Sequence, residues 1–168
     1  MAPASRAPMP SFGTWLGLSG LVVAVDQLTK YAMTQWLERG QSVRVTPFFD
    51  LVLVYNPGAA FSFLADAAGW QRWFFVLLAL GISVWLVRLI RVHAGERWLA
   101  LSFALILGGA LGNVIDRLFH GAVIDFLYFH AGRYGWPAFN VADSAISVGV
   151  ALLLWDQFFA QRRREATG

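Results

Sequence analysis

The sequence predicts an all-α polytopic membrane protein: four transmembrane helices with a small extracytoplasmic β-hairpin and a short interfacial helix. Three observations lead there. Of 168 residues, 58% are hydrophobic and only 14% are charged, a balance typical of membrane chains. Four segments, residues 14–37, 70–90, 98–115 and 141–159, have the length and apolarity to cross a hydrocarbon core. Trp15, Trp36, Trp70, Trp73, Trp98, Trp136 and Trp155 fall near the ends of those segments, where an amphipathic indole sits at headgroup level. The length suits a single membrane domain over residues 1–168, with no internal repeat.

Residues 1–11, with Pro3, Pro8 and Pro10, read as disordered. The apolar run that follows Arg6 is too long for a cleavable signal peptide and has no small-residue cleavage site behind it. Within this first span Asp26 and Lys30 are four apart, which places them on one helix face as a structural intramembrane ion pair. A proton or ion relay is the alternative reading. After the span, residues 42–55 alternate and are rich in β-branched and aromatic side chains, interrupted at Thr46-Pro47, so a hairpin or curved sheet is expected. Asn56-Pro57-Gly58 ends it in a turn. The apolar residues 59–64 are too few to cross and read as a short helix along the interface.

The second and third spans are joined by a short basic loop, residues 88–97. The third carries Gly108 and Gly112, four apart on one face and suited to close helix packing. It ends in Asn113, Asp116 and Arg117, whose carboxamide, carboxylate and guanidinium project together near the membrane boundary. A local Asp116–Arg117 pair at a polar helix end is the simpler reading of these groups. Asp125 follows a short loop, flanked by Ile124, Phe126 and Leu127, and no local structural role accounts for it. Asn140 and Asp143 open the fourth span in the spacing of a capping box, N-cap and N3 acid. Residues 160–168 form a basic tail.

Lys and Arg near the spans set the orientation. Arg6, Arg88, Arg91, Arg97 and Arg162, Arg163 and Arg164 share one side; Arg39, Arg44, Arg72, Arg117 and Arg133 share the other. The first side, the richer one, is placed in the cytoplasm together with both termini and the tail, and the two longer loops lie outside. The formal net charge is +3, but its scatter at span ends argues against a nucleic-acid partner. There are no cysteines, which excludes disulfides, thiol nucleophiles and thiolate metal sites.

Two carboxyls, Asp125 and Asp143, thus gather at one edge of a low-dielectric phase. Both cannot easily ionise there, so one keeps its proton near neutral pH while the other stays charged. The charged acid can take a proton from a water attacking an amide carbonyl, and the protonated one can hydrogen-bond the carbonyl oxygen and protonate the leaving nitrogen. That is aspartic-type peptide hydrolysis. The competing nucleophile is Ser19 in Gly17-Leu18-Ser19-Gly20, but no histidine lies inside a span to act as its base. His93, His120 and His130 are scattered and there is no His-Glu-x-x-His, so a zinc peptidase is disfavoured and no metal or cofactor is expected.

Five ordered blocks then carry a resemblance: Asp26-Gln27-Leu28-Thr29-Lys30; Asn56-Pro57-Gly58-Ala59-Ala60-Phe61; the Gly108 to Arg117 block; Val123-Ile124-Asp125-Phe126; and Phe139-Asn140-Val141-Ala142-Asp143. Interleaved with four spans, they make the chain resemble the bacterial lipoprotein signal peptidases, or signal peptidase II. The resemblance implies an aspartyl endopeptidase of the bacterial inner membrane with a β-cradle outside the cytoplasm. Its substrates would be prolipoproteins carrying diacylglyceryl-cysteine, cut on the N-terminal side of that residue. The family's catalytic pair falls on Asp125 and Asp143; its supporting residues fall on Asp26, Lys30, Asn56, Asn113, Asp116, Arg117 and Asn140. Partners are then prolipoproteins and membrane lipid, and a monomer is expected. The alternative function is a small proton- or ion-coupled transporter that uses Asp26, Lys30, Asp116, Asp125 and Asp143 as a relay. A relay needs acids spread across the membrane depth, whereas Asp116, Asp125 and Asp143 collect at one boundary.

Overall fold

A computed structural model describes residues 10–58 and 70–165, with side chains described up to residue 159. Within these residues the chain forms four long helices and one small sheet. Helix α1 runs Phe12–Trp36, α2 Trp70–Val92, α3 Arg97–His120 and α4 Val141–Glu165. Ser11 caps α1: its hydroxyl accepts the Thr14 backbone N–H at 3.3 Å while the Thr14 hydroxyl accepts that of Ser11, a reciprocal box that fixes where the helix begins. The expected helix at residues 59–64 and nearly all of the expected disordered N-terminus lie outside the described residues. The expected tail is, through Glu165, a continuation of α4.

Helix α3 is the hub, packed against each of the other three helices. Its sequence explains why. Ala100, Ala104, Gly108 and Gly112 recur every four residues and are buried, giving a flat stripe that lets another backbone approach. Helix α1 lies along it, close enough that the Ser19 hydroxyl donates to the Ala104 carbonyl at 2.9 Å. A Cβ on Gly108 would stand 2.7 Å from that of Val22. The neighbouring Gly109 faces α4, where any side chain would collide with the Ala142 carbonyl.

Three helices, α2, α3 and α4 through Phe159, are long and apolar enough to cross a membrane. Four were expected. Helix α1 has the length, at 25 residues, but carries Asp26, Gln27 and Lys30 on its inner face, and these lower its mean hydropathy. Its outer face is apolar, with Leu21, Val25, Leu28 and Tyr31 exposed.

The sheet is antiparallel with strand order β1-β2-β3-β4: β1 Ser42–Thr46, β2 Phe49–Asn56, β3 Val123–Ala131 and β4 Tyr134–Gly135. The first two make the hairpin expected for residues 42–55, turning at Pro47-Phe48 with a register shift between Arg44 and Thr46. Strand β3 was not expected: Asp125, read only as following a short loop, lies within it. It pairs with β2 so that Asn56 faces Val123, Tyr55 faces Ile124 and Val54 faces Asp125. The run Val123-Ile124-Asp125-Phe126-Leu127-Tyr128-Phe129 does have strand chemistry, obscured by its place between two spans. Helix α3 runs on to His120, past the expected span end at 115, and Asp116 and Arg117 are helical as expected.

Two apolar clusters bracket a polar layer. One, around Trp15, Leu86, Ile90, Leu99, Phe103 and Leu107, fills the end that holds the α2–α3 turn. The other, Leu37, Leu53 and Ile124, seals the joint between α1 and the sheet. Trp15 belongs to the first cluster and not to a headgroup belt: it is 8% exposed and its indole N–H donates to the Ala94 carbonyl at 3.0 Å. Trp36, Trp70, Trp73, Trp98, Trp136 and Trp155 are all more than half exposed.

Candidate active site

Between those clusters α1, α3, α4 and β3 converge. Asp125 comes from β3, and α4 starts where residues 138–140 turn back on that strand. The Phe139 carbonyl accepts from the Phe126 and Leu127 amides at 3.0 and 2.9 Å, and the Phe139 amide donates to Leu127 at 3.0 Å. This backbone clasp places Asn140, the helix N-cap, beside Asp125.

Asn140 is 0% exposed and links the two acids. Its amide nitrogen donates to Asp125 Oδ1 at 2.8 Å and to the Ile124 carbonyl at 3.1 Å. Its amide oxygen accepts the Asp143 backbone N–H at 2.9 Å, and the Asp143 carboxylate in turn accepts the Asn140 N–H at 3.3 Å. The capping box read from the sequence is therefore present, and it holds Asp143 in the first turn of α4, where the helix dipole favours a negative charge. Asn113 on α3 supports it, its amide donating to Asp143 Oδ1 at 2.8 Å. Asn56, at the end of β2, donates to Asp125 Oδ2 at 3.1 Å, while its carbonyl oxygen accepts the Gly58 N–H at 3.0 Å in an Asx turn. Asp125 and Asp143 thus share one carboxamide network.

Their surroundings differ. Asp125 is 2% exposed, whereas Asp143 is half-buried. Burial, with the charge of Asp143 added, pushes the Asp125 carboxyl up to about 7, against the opposing effect of the Asn56 and Asn140 hydrogen bonds. A protonated Asp125 beside Asp143 is the arrangement that follows below about pH 7. Beside Asp125 a cavity of about 440 Å³ opens between Tyr55, Asn56, Pro57, Pro137 and Ala138.

Below the acids lies a buried charge cluster. Lys30 Nζ sits 2.7 Å from Asp26 Oδ2, 2.6 Å from Asp116 Oδ2 and 3.1 Å from Asn113 Oδ1, one acceptor for each of its three protons. Asp26, Lys30 and Asp116 are 0%, 2% and 1% exposed. The expected Asp26–Lys30 pair is there, but Asp116 completes a triad with it, and the simpler local pairing of Asp116 with Arg117 does not form. The reason is direction along the helix: Asp116 points at α1, and Arg117, one position on, is turned away towards α2. Arg117 Nη1 donates to the Asn113 carbonyl at 3.2 Å, and its guanidinium carbon lies 5.2 Å from the Phe75 ring centroid. Its Nε is buried with no hydrogen-bond partner among the described residues. Together with Phe75, Ile82, Ile106, Asn113 and Ile146 it lines a cavity of about 230 Å³ between α2, α3 and α4.

Sequence reasoning missed Gln27. Its amide donates to Asp116 Oδ1 at 2.9 Å and to the Gly112 carbonyl at 3.2 Å. Its position beside Asp26, inside a block already singled out, was the available signal. Ser19 has no base: its hydroxyl donates to the Trp15 and Ala104 carbonyls, it is 3% exposed, and it serves packing. The aromatic depression at the far end of the sheet, between Phe48, Phe129, Tyr134 and Trp136, includes none of the network's residues.

Comparison with known proteins identifies the family. The family model described as signal peptidase (SPase) II matches residues 18–159. A lipoprotein signal peptidase of Azoarcus sp. (strain BH72) is 57% identical over 166 residues, covering 99% of this chain and 92% of the relative. One from Burkholderia thailandensis is 53% identical over 153 residues, covering 91% and 92%. Among solved structures, a bacterial membrane enzyme determined by the in meso method at 1.9 Å resolution superimposes with a TM-score of 0.80 at 32% identity, covering 90% of this chain and 97% of that one.

Proposed function

This chain belongs to the signal peptidase II family, and from that premise we propose that Asp125 and Asp143 are the acid–base pair with which it hydrolyses its substrates. It is a membrane endopeptidase of the aspartic type that removes signal peptides from prolipoproteins. The observation that carries the catalytic assignment is the Asn140 carboxamide, which hydrogen-bonds Asp125 with its nitrogen and the Asp143 amide with its oxygen.

In the proposed reaction the ionised Asp143 accepts a proton from water as the water oxygen bonds to the scissile carbonyl carbon. Asp125 gives its proton to the carbonyl oxygen, so a neutral gem-diol forms. The carbon–nitrogen bond then breaks as Asp143, rather than the initially protonated acid expected from the sequence, gives its proton to the nitrogen and Asp125 recovers one from a gem-diol hydroxyl. The signal peptide leaves with a new carboxyl group and the lipoprotein with a free amine. Asn56, Asn113 and Asn140 hold the two carboxyls. Arg117, whose Nε has no hydrogen-bond partner among the described residues, lines the α2–α3–α4 cavity, and its fork of donors suits it to substrate carbonyls.

We further propose that α1 is a fourth span, its polar groups turned inward onto α3 and its exposed face apolar, so that residues 1–168 form one membrane domain of the bacterial inner membrane. Both termini and the α2–α3 turn lie in the cytoplasm, and the sheet and acids lie at the periplasmic face. A reporter fused after Gly168 should then read as cytoplasmic and one inserted near Asp66 as external; the opposite labelling would place the acids on the wrong face.

The substrate's lipid is part of the recognition. Each buried acyl methylene contributes roughly 0.8 kcal/mol of membrane affinity, so a diacylglyceryl group on the cysteine after the scissile bond holds that bond at the depth of the two acids. Purified enzyme in detergent micelles should release the signal peptide from a diacylglyceryl precursor at least about tenfold faster than from the unmodified one, since two acyl chains far exceed the 1.4 kcal/mol that a factor of ten requires. Equal rates would favour a general membrane protease.

A further inference from the structure

The Asp26–Lys30–Asp116 triad reaches both acids through the backbone, by the same device twice. Asp26 Oδ1 accepts the N–H of Ala142 at 2.8 Å, the residue immediately before Asp143. Asp116 Oδ2 accepts the N–H of Ile124 at 3.0 Å, the residue immediately before Asp125. Lys30, bonded to both carboxylates, fixes their separation, and through Asn113 it also touches the amide that supports Asp143. Gln27 braces the unit, donating to Asp116 Oδ1 at 2.9 Å and to Asp26 Oδ2 at 3.2 Å. Gly112 makes room for it: a Cβ there would lie 2.6 Å from Asp26 Oδ2.

We propose that this triad is a positioning unit that sets the spacing of Asp125 and Asp143, with Asp26 holding the α4 side and Asp116 the β3 side. Charge pairing alone does not need both carboxylates. One ammonium is matched by one carboxylate, so a lone buried Lys–Asp pair would suffice for charge balance. What the second carboxylate adds is the second backbone anchor. An acid pair on two different elements, a strand and a helix, has no covalent reason to keep its spacing, and misplacement of about 1 Å costs about a hundredfold in rate.

The proposal rests on the acid–base reading above, and its test separates the two. Removing one of two carboxylates strands no charge, so Asp26→Ala should fold. In detergent micelles with the diacylglyceryl precursor it should lose about a hundredfold in kcat with KM within about twofold, because no substrate-facing group is touched. Asp26→Asn, which keeps an acceptor oxygen for the Ala142 amide, should recover most of that loss. Amide exchange read by NMR should accelerate at Ala142 in Asp26→Ala, with Ile124 unchanged. Where Asp26→Ala fails to fold, Gln27→Leu decides: it loosens Asp116, so it should accelerate exchange at Ile124 and lower kcat about tenfold at constant KM. Parental kcat in the folded variant, a loss confined to KM, or no change in exchange at the named amide would each overturn the positioning role. Failure of the acid–base reading itself appears elsewhere, as turnover that survives Asp125→Asn.

Discussion

Replacing Lys30 with methionine should destabilise the protein by about 3–5 kcal/mol, the cost of breaking a buried ion pair by removing one partner. Methionine matches the length and apolar stem of lysine, so the effect isolates the ammonium. Without it, Asp26 and Asp116 face each other at 0% and 1% exposure, each still held by a backbone amide but with no cation between them. Like charges in a low-dielectric layer must then protonate or separate, and separation pulls α1 from α3 along the stripe of Ala104, Gly108 and Gly112. Thermal unfolding in detergent micelles measures it, with a midpoint lower by roughly 10 °C for a chain of this size. Asp26→Ala should fall by much less, since Asp116 remains to neutralise the lysine. If purified Lys30→Met melts with the parent, the triad does not stabilise the fold.

The four helices, the β1–β2 hairpin and the cap at Asn140 and Asp143 were legible in the sequence because each rests on a local signal: apolar length, alternation, or a short-range polar spacing. So were Asp125 and Asp143 as candidates, because an acid among apolar neighbours is costly anywhere. Strand β3 was not legible. Its pairing with β2 joins segments about seventy residues apart, and nothing local distinguishes it from a loop between two spans. The partner of Asp116 was hidden for the same reason. Arg117 is adjacent in sequence and Lys30 is distant, yet helix geometry turns Asp116 towards Lys30. Gln27 fell between: it lay in a recognised block, but an amide signals no chemistry until the two acceptors it bridges are seen together. Trp15 misled in the opposite sense, since its place near a span end matched a headgroup belt while its indole is committed to Ala94.

The largest effect expected is on turnover. Asp125→Asn and Asp143→Asn should each reduce it by about 10³–10⁴-fold, near the upper range for a general acid or base, while the proteins stay folded. An amide keeps the shape of the carboxyl but cannot cycle a proton. For Asp125 the substitution should not destabilise the fold at neutral pH, because burial disfavours the charged carboxyl and raises it to about 7, whereas the amide carries no charge. The sign of the linkage is fixed by that shift. Between about pH 4 and 7 the unfolded chain has lost this proton and the folded one keeps it, so stability declines as pH rises through that window. Ser19→Ala, altering a packing hydroxyl, should keep turnover within a few-fold of the parent. The most direct measurement is therefore turnover of the diacylglyceryl precursor by purified parent, Asp125→Asn, Asp143→Asn and Ser19→Ala, from pH 5 to pH 9, with folding checked at each pH. The expected result is a parent rate that falls above about pH 7 as Asp125 ionises, two Asn variants slower than the parent by about 10³–10⁴-fold, and a Ser19→Ala profile that follows the parent. Sustained turnover in either Asn variant, or loss of activity in a folded Ser19→Ala, would contradict hydrolysis by the Asp125–Asp143 pair.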